Sequence, residues 1–158
     1  MESNLTVRID DLTGPEIQAL LQEHLHQMHA QSPPESVHAL DLTALRRPDI
    51  TFWTVWKDSD LLGCGALREL NRFEGEVKSM RTAEAHRRRG AAAAVLHTIV
   101  GEARRRGYRR LNLETGSTPP FEPARALYAR FGFKPCGPFD DYADDPNSVF
   151  MTLDLTLP

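Results

Sequence analysis

A chain of 158 residues, 41% apolar and 26% charged, has the material for one ordinary globular core. A net charge of -3 gives no global pull toward nucleic acid, and no run approaches the ~18 apolar residues of a membrane span. Cys64 and Cys136 make no disulfide framework and no basic, apolar leader opens the chain, so a cytoplasmic setting is expected.

In chain order, Thr6-Val7-Arg8-Ile9 alternates as a first strand would. Gly14-Pro15 starts a helix through about Gln31, with Ile17, Leu20, Leu21, Leu25 and Met28 at near-helical spacing. Pro33-Pro34 must break it. A short helix over Asp41 to Arg46 precedes two strands, Thr51 to Trp56 and Leu61 to Leu67, joined by the turn Lys57-Asp58-Ser59-Asp60. A strand from Glu76 to Thr82 follows. The clearest helix runs from Gly90 to Arg106, striped by Val95, Leu96, Ile99, Val100 and Ala103 and stopped by Gly107. Then come a strand from Tyr108 to Thr115, a helix from Pro123 to Phe131, and strands from Phe133 and from Val149 to Leu155. This order predicts a single mixed α/β (α+β) domain over residues 1–158.

Arginine clusters at 87–89, 104–106 and 109–110. Arg104 to Arg106 suit a helix C-terminus, where the dipole favours cations. Arg87, Arg88 and Arg89 lie at the opposite end of that helix and need another reason. Gly90 stands where a strand has ended and a long helix begins, and such a terminus offers unpaired N–H groups and partial positive charge to a phosphate. Gly90, Ala91, Ala92, Ala93 and Ala94 leave its backbone almost bare. A plain alanine-rich helix behind a basic loop has the same pattern, so the chemistry alone leaves both readings open.

Two motifs go further. Arg87-x-x-Gly90-x-Ala92 resembles the Arg/Gln-x-x-Gly-x-Gly/Ala signature of the GCN5-related N-acetyltransferase (GNAT) superfamily. One strand later, Ala124-x-x-Leu127-Tyr128-x-x-x-Gly132-Phe133 resembles that superfamily's second element. Closer still, residues 76–82, 113–116 and 145–151 look like a bacterial branch, the YsnE-type acetyltransferases, whose acceptor the likeness does not identify. The resemblance runs from about Thr51 to the end. It implies a mostly antiparallel sheet flanked by helices, and acetyl-CoA as co-substrate. It also implies that Arg87 to Arg89 and Gly90 to Ala93 cradle the pyrophosphate while the main chains of Met80 and Thr82, on a strand splayed from its neighbour, hold pantetheine. Where many relatives carry asparagine seven residues before the tyrosine, this chain has Phe121.

Transfer from a thioester to an amine needs a proton acceptor for the amine and a proton donor for the leaving sulfur. The donor already carries an activated acyl group, so neither cysteine needs a role. Glu76 is the first choice of base: it lies eleven residues before Arg87 and fourteen before Gly90, the spacing of the catalytic glutamate in the histone-acetyltransferase branch. Pairing with Lys78 or an arginine is its alternative fate, and Glu114 is the alternative carboxylate. Tyr128 is the expected acid, against a plain core tyrosine beside Leu127 and Phe131. His24, His26 and His29 lack an Asp or Cys to complete a metal set, so no metal is expected. The expected function is N-acetylation of a small-molecule amine by direct transfer, with Trp53, Trp56 and the Ser32 to Ser36 loop as walls for the acceptor. A protein or peptide acceptor, a non-catalytic coenzyme A module and a nucleic-acid module are the alternatives, and the sequence leaves a homodimer open.

Overall fold

The computed structural model describes residues 5–33, 42–83 and 90–156. They form β1 (Leu5–Ile9), α1 (Pro15–Gln31), α2 (Leu42–Leu45), β2 (Ile50–Lys57), β3 (Asp60–Glu69), β4 (Glu74–Thr82), α3 (Ala91–Arg105), β5 (Arg110–Gly116), α4 (Glu122–Arg130), β6 (Lys134–Cys136) and β7 (Ser148–Asp154), with a 3-10 turn at Pro119–Phe121. The seven strands make one sheet in the order β1-β2-β3-β4-β5-β7-β6. Every neighbouring pair is antiparallel except β4 and β5. This is the mixed, mostly antiparallel sheet flanked by helices that the resemblance implies, in the element order read from the sequence. No helix among the described residues is long and apolar enough to cross a membrane.

Each face of the sheet buries a different core. Under α3, Val95, Leu96, Ile99 and Ala103 pack on Trp53, Val55, Leu62, Leu67 and Val77, with Leu127 and Tyr128 of α4 beside them. On the other face Ile17, Leu20 and Leu21 of α1 cover Phe52, Cys64 and Ala66. The period-2 alternation of β2 and β3 supplies both faces at once. Helix α3 ends as its sequence predicts: Tyr108 N–H bonds to Ala103 O and Gly107 N–H to Arg104 O, the paired bonds of a glycine-terminated helix.

Two irregularities open the sheet. Strands β4 and β5 pair only from Glu74 with Arg110 to Val77 with Leu113. Beyond that rung β4 stays on β3 as far as Thr82, and β5 stays on β7 as far as Gly116, so the two strands part. Close by, Cys64 faces Arg81 and Ala66 faces Lys78, which leaves two residues, Ser79 and Met80, opposite Gly65. Ser79 carries the strain of this bulge at φ 56°.

Candidate active site

The parted strands form a cleft lined by Glu76, Lys78 and Met80 of β4, Glu114 and Thr115 of β5, His24 and Met28 of α1, and Phe121, Ala124 and Tyr128 around the start of α4. In the strand alternation Glu76 and Lys78 share one face, and the rung pairing Val77 with Leu113 puts Glu114 on that face too. Val77 and Leu113 point the other way, into the α3 core.

Glu76 is 1% exposed. Arg68 Nη1 approaches its Oε1 at 3.3 Å, Lys78 Nζ its Oε2 at 3.4 Å, and the Tyr142 hydroxyl donates to Oε2 at 2.6 Å. The Tyr142 hydroxyl in turn accepts from Lys78 Nζ at 2.8 Å. Burial, then the adjacent Glu76 charge, push the Tyr142 phenol far above its ordinary value, so it stays protonated and able to donate. Arg68 also reaches Asp49 and Asp140. The pairing of Glu76 with Lys78 and an arginine, read from the sequence as an alternative to catalysis, is therefore present. Tyr142 had no sequence signal at all: it lies in the aperiodic segment between β6 and β7.

Glu114 is half-buried, accepts a hydrogen bond from Ser148 Oγ at 2.8 Å, and lines the cleft with Tyr128. Burial, followed by the charge of Glu114, pushes the Tyr128 phenol well above its usual range. Its ring meets Phe133 edge-on at 5.8 Å, so the tyrosine is at once a core residue and a wall of the cleft. Phe121 packs so closely on Gly116 that a Cβ there would overlap its ring, which explains why Gly116 is small. Arg125 holds the same corner by donating to Gly116 O at 2.6 Å and Thr118 O at 3.1 Å.

Gly90 caps α3 with φ +82°, a conformation that L side chains rarely adopt. Ala94 N–H already bonds to Gly90 O. The amides of Ala91, Ala92 and Ala93 are the helix's first and have no i−4 carbonyl of their own. Ala91 is buried, whereas Ala92 and Ala93 are half-buried. Arg87, Arg88 and Arg89 lie outside the described residues. Met80 and Thr82 sit on the stretch of β4 that has β3 on one side and no paired strand on the other. On that stretch the main chain can hold an extended ligand as an added strand.

The acetyltransferase (GNAT) family profile matches residues 17–133. The chain belongs to that family. It is 58% identical over 149 residues to the uncharacterized N-acetyltransferase YsnE of Bacillus subtilis, across 94% of this chain and 99% of that protein. It is 49% identical to the uncharacterized N-acetyltransferase YedL of Escherichia coli, across 95% and 94%. The YsnE-type resemblance therefore holds, and the chain is an acyltransferase. A solved Klebsiella pneumoniae structure assigned as an acyl-CoA N-acyltransferase superposes with a TM-score of 0.76 at 26% identity, covering 96% of this chain and 97% of that one.

Most of the remaining residues singled out in the sequence fall outside the cleft of this GNAT fold. Trp53 is 4% exposed in the α3 core, and Trp56 donates to Thr54 Oγ1 and is stacked by Arg8 at 4.4 Å. Neither lines the cleft, against the expectation that they wall the acceptor: alternation along β2 turns Trp53 under α3 and puts Trp56 on the opposite face, with Phe52, against the core under α1. Residues 34–36 of the Ser32 to Ser36 loop lie outside the described residues. His24 lines the cleft, His26 is exposed, and the His29 side chain lies outside the described residues. No group of three metal-ligating side chains occurs among the described residues. Burial holds the Cys64 thiol up at about 12, while its Sγ donates to Ser79 O.

Proposed function

We propose that this GNAT enzyme uses acetyl-CoA to acetylate the amine of a small molecule by direct transfer in a ternary complex. The observation that carries the reading is the parting of β4 from β5 after Val77, beside a helix start at Gly90 that no side chain caps among the described residues. The name of the Klebsiella neighbour, an acyl-CoA N-acyltransferase, supports a donor of the acyl-CoA class. The amides of Gly90 to Ala93, with Arg87, Arg88 and Arg89, would hold the pyrophosphate. The main chains of Met80 and Thr82 would hold pantetheine. Bound there, the thioester supplies an acyl group already activated for transfer.

The protein's own groups then handle protons. A base must reach the proton it removes. Glu76 is 1% exposed and engaged on both oxygens, whereas Glu114 is half-buried on the cleft wall. Proton acceptance is therefore assigned to Glu114, and Glu76 to holding Lys78 and Tyr142 in place. Tyr128, kept protonated by burial, donates to the departing sulfur. A protein nucleophile is not called for, and the buried, protonated Cys64 is unsuited to be one.

Free-thiol release from acetyl-CoA across a panel of amines, polyamines, amino acids and peptides tests this. Intersecting initial-rate lines are expected. Parallel lines with an acetylated protein would replace direct transfer, and turnover confined to peptides or protein N-termini would replace the small-molecule acceptor. Glu114→Gln should remove the acidic limb of the kcat/KM profile. If Glu76→Gln does so instead, the base is Glu76.

A further inference from the structure

Lys78 is the least explained group in the cleft. Its side chain is 7% exposed, and burying an ammonium is costly unless it is well paired. Its carboxylate partner, Glu76, is 3.4 Å away and is shared with the Arg68 guanidinium, which also pairs with Asp49 and Asp140. A well-made charged pair would sit at about 2.8 Å. The tight contact of Lys78 is instead with the Tyr142 hydroxyl at 2.8 Å. An ammonium has three N–H donors. Two are used by Glu76 and Tyr142, and the third has no partner among the described residues. Tyr142 thus aims the ammonium without neutralising it.

Lys78 and Glu114 stand at the first rung past the last β4–β5 pair, on one face of the sheet and on opposite sides of the split. Paired strands lie about 5 Å apart and β4 and β5 diverge from that spacing after Val77, so a cation and an anion face one another across a gap that starts at the scale of a small zwitterion. Met28 and Phe121 supply an apolar wall next to them.

We propose that the acceptor is an amino acid or another amine that carries a carboxylate, its carboxylate seated on Lys78 and its amine directed to Glu114. This rests on the cleft being the acceptor site of an acetyl-CoA-dependent enzyme. Lys78 and Tyr142 are then specificity-determining: Lys78 binds the carboxylate, and Tyr142 positions Lys78. An amine without the carboxylate leaves the Lys78 donor unmet in a nearly dry site, which is the strong kind of discrimination.

The test is free-thiol release from acetyl-CoA with matched pairs, each L-amino acid against its decarboxylated amine, tryptophan against tryptamine and phenylalanine against phenethylamine among them. Acetyl-CoA binding is followed separately by calorimetry. For at least one pair, the amino acid should exceed its amine at least tenfold in kcat/KM. Lys78→Gln should erase most of that preference through KM while leaving the amine's rate within about threefold, and Lys78→Arg should retain it. Thermal melts confirm that each variant is folded, and the wild-type comparison stands without any variant. Amines turned over as well as their amino acids, or equal losses for both in Lys78→Gln, would overturn the proposal. So would acetyl-CoA binding with no turnover of either member of any pair. Failure to bind acetyl-CoA would instead overturn the functional reading beneath it.

Discussion

The Tyr142 hydroxyl donates to Glu76 Oε2 at 2.6 Å across 66 residues of sequence, and this bond ties the segment between β6 and β7 to the buried middle of the sheet. Phe139 and Phe150 brace the tyrosine ring at 5.0 and 5.5 Å, and Asp140 reaches Arg68 from the same segment. Tyr142→Phe keeps the ring packing but removes the donor to Glu76 and the acceptor for Lys78. The variant should lose about 1–3 kcal/mol, the usual penalty for stranding a buried polar group. Urea unfolding of both proteins measures it, and an unchanged midpoint with an unchanged slope would show that the bond contributes nothing net.

Tyr128 invites the opposite experiment, because its phenol lies at the cleft while its ring belongs to the core. Tyr128→Phe retains the edge contact with Phe133, so the fold should survive. Turnover should fall about a hundredfold or more, the lower range for loss of a general acid. Acetyl-CoA affinity by calorimetry should stay within about twofold, since the change removes a hydroxyl from the reacting end. Full turnover would take the acid role away from Tyr128.

What the sequence made legible was whatever local chemistry encodes. Helix α3 shows its stripe and its stop, the β2–β3 hairpin shows its turn, and the motif around Gly90 carries the resemblance from which the donor site is proposed. What it hid was the product of tertiary pairing. Ser79 adopts φ 56° because β4 must fit two residues against Gly65, and nothing about a serine announces that. Alternation in β2 puts Trp53 and Trp56 on opposite faces but does not say which face α3 covers, so the sequence alone bars neither from the cleft. The Glu76 spacing located a carboxylate at the cleft, but the occupation of that carboxylate by Arg68, Lys78 and Tyr142 depends on contacts up to 66 residues away.

Gly90 separates backbone strain from ligand chemistry. At φ +82° an alanine should cost about 1 kcal/mol of stability, the price of a left-handed L-residue, since among the described residues a Cβ there meets only Leu5 at 3.9 Å. Coenzyme A affinity of Gly90→Ala should fall only modestly. Gly90→Glu adds bulk and negative charge where the phosphates are proposed to sit, and should abolish measurable coenzyme A binding while melting close to Gly90→Ala. Wild-type affinity in Gly90→Glu would remove the helix start from the donor site.

His24 provides a pH test independent of any substrate. Burial in the cleft wall, then the charge of Arg81, lower its imidazole from 6.5 to about 4. Its Nδ1 is buried without a hydrogen-bond partner among the described residues, and Arg81 is anchored beside α1 by Glu23 at 3.1 Å. In the unfolded chain the imidazole takes up its proton near pH 6.5, and in the folded protein only near pH 4. Between those values the unfolded state binds more protons, so the stability contributed by keeping His24 neutral is complete above about 6.5 and is lost as the pH falls toward 4. The difference amounts to at most about 3 kcal/mol. His24→Gln keeps a polar side chain that cannot titrate. Urea midpoints at several pH values from 7 to 4 should therefore fall more steeply for the wild type than for His24→Gln, even though carboxylates titrate in both. Parallel curves would mean that the histidine charges freely in the folded protein and that the cleft wall is wetter than its burial indicates.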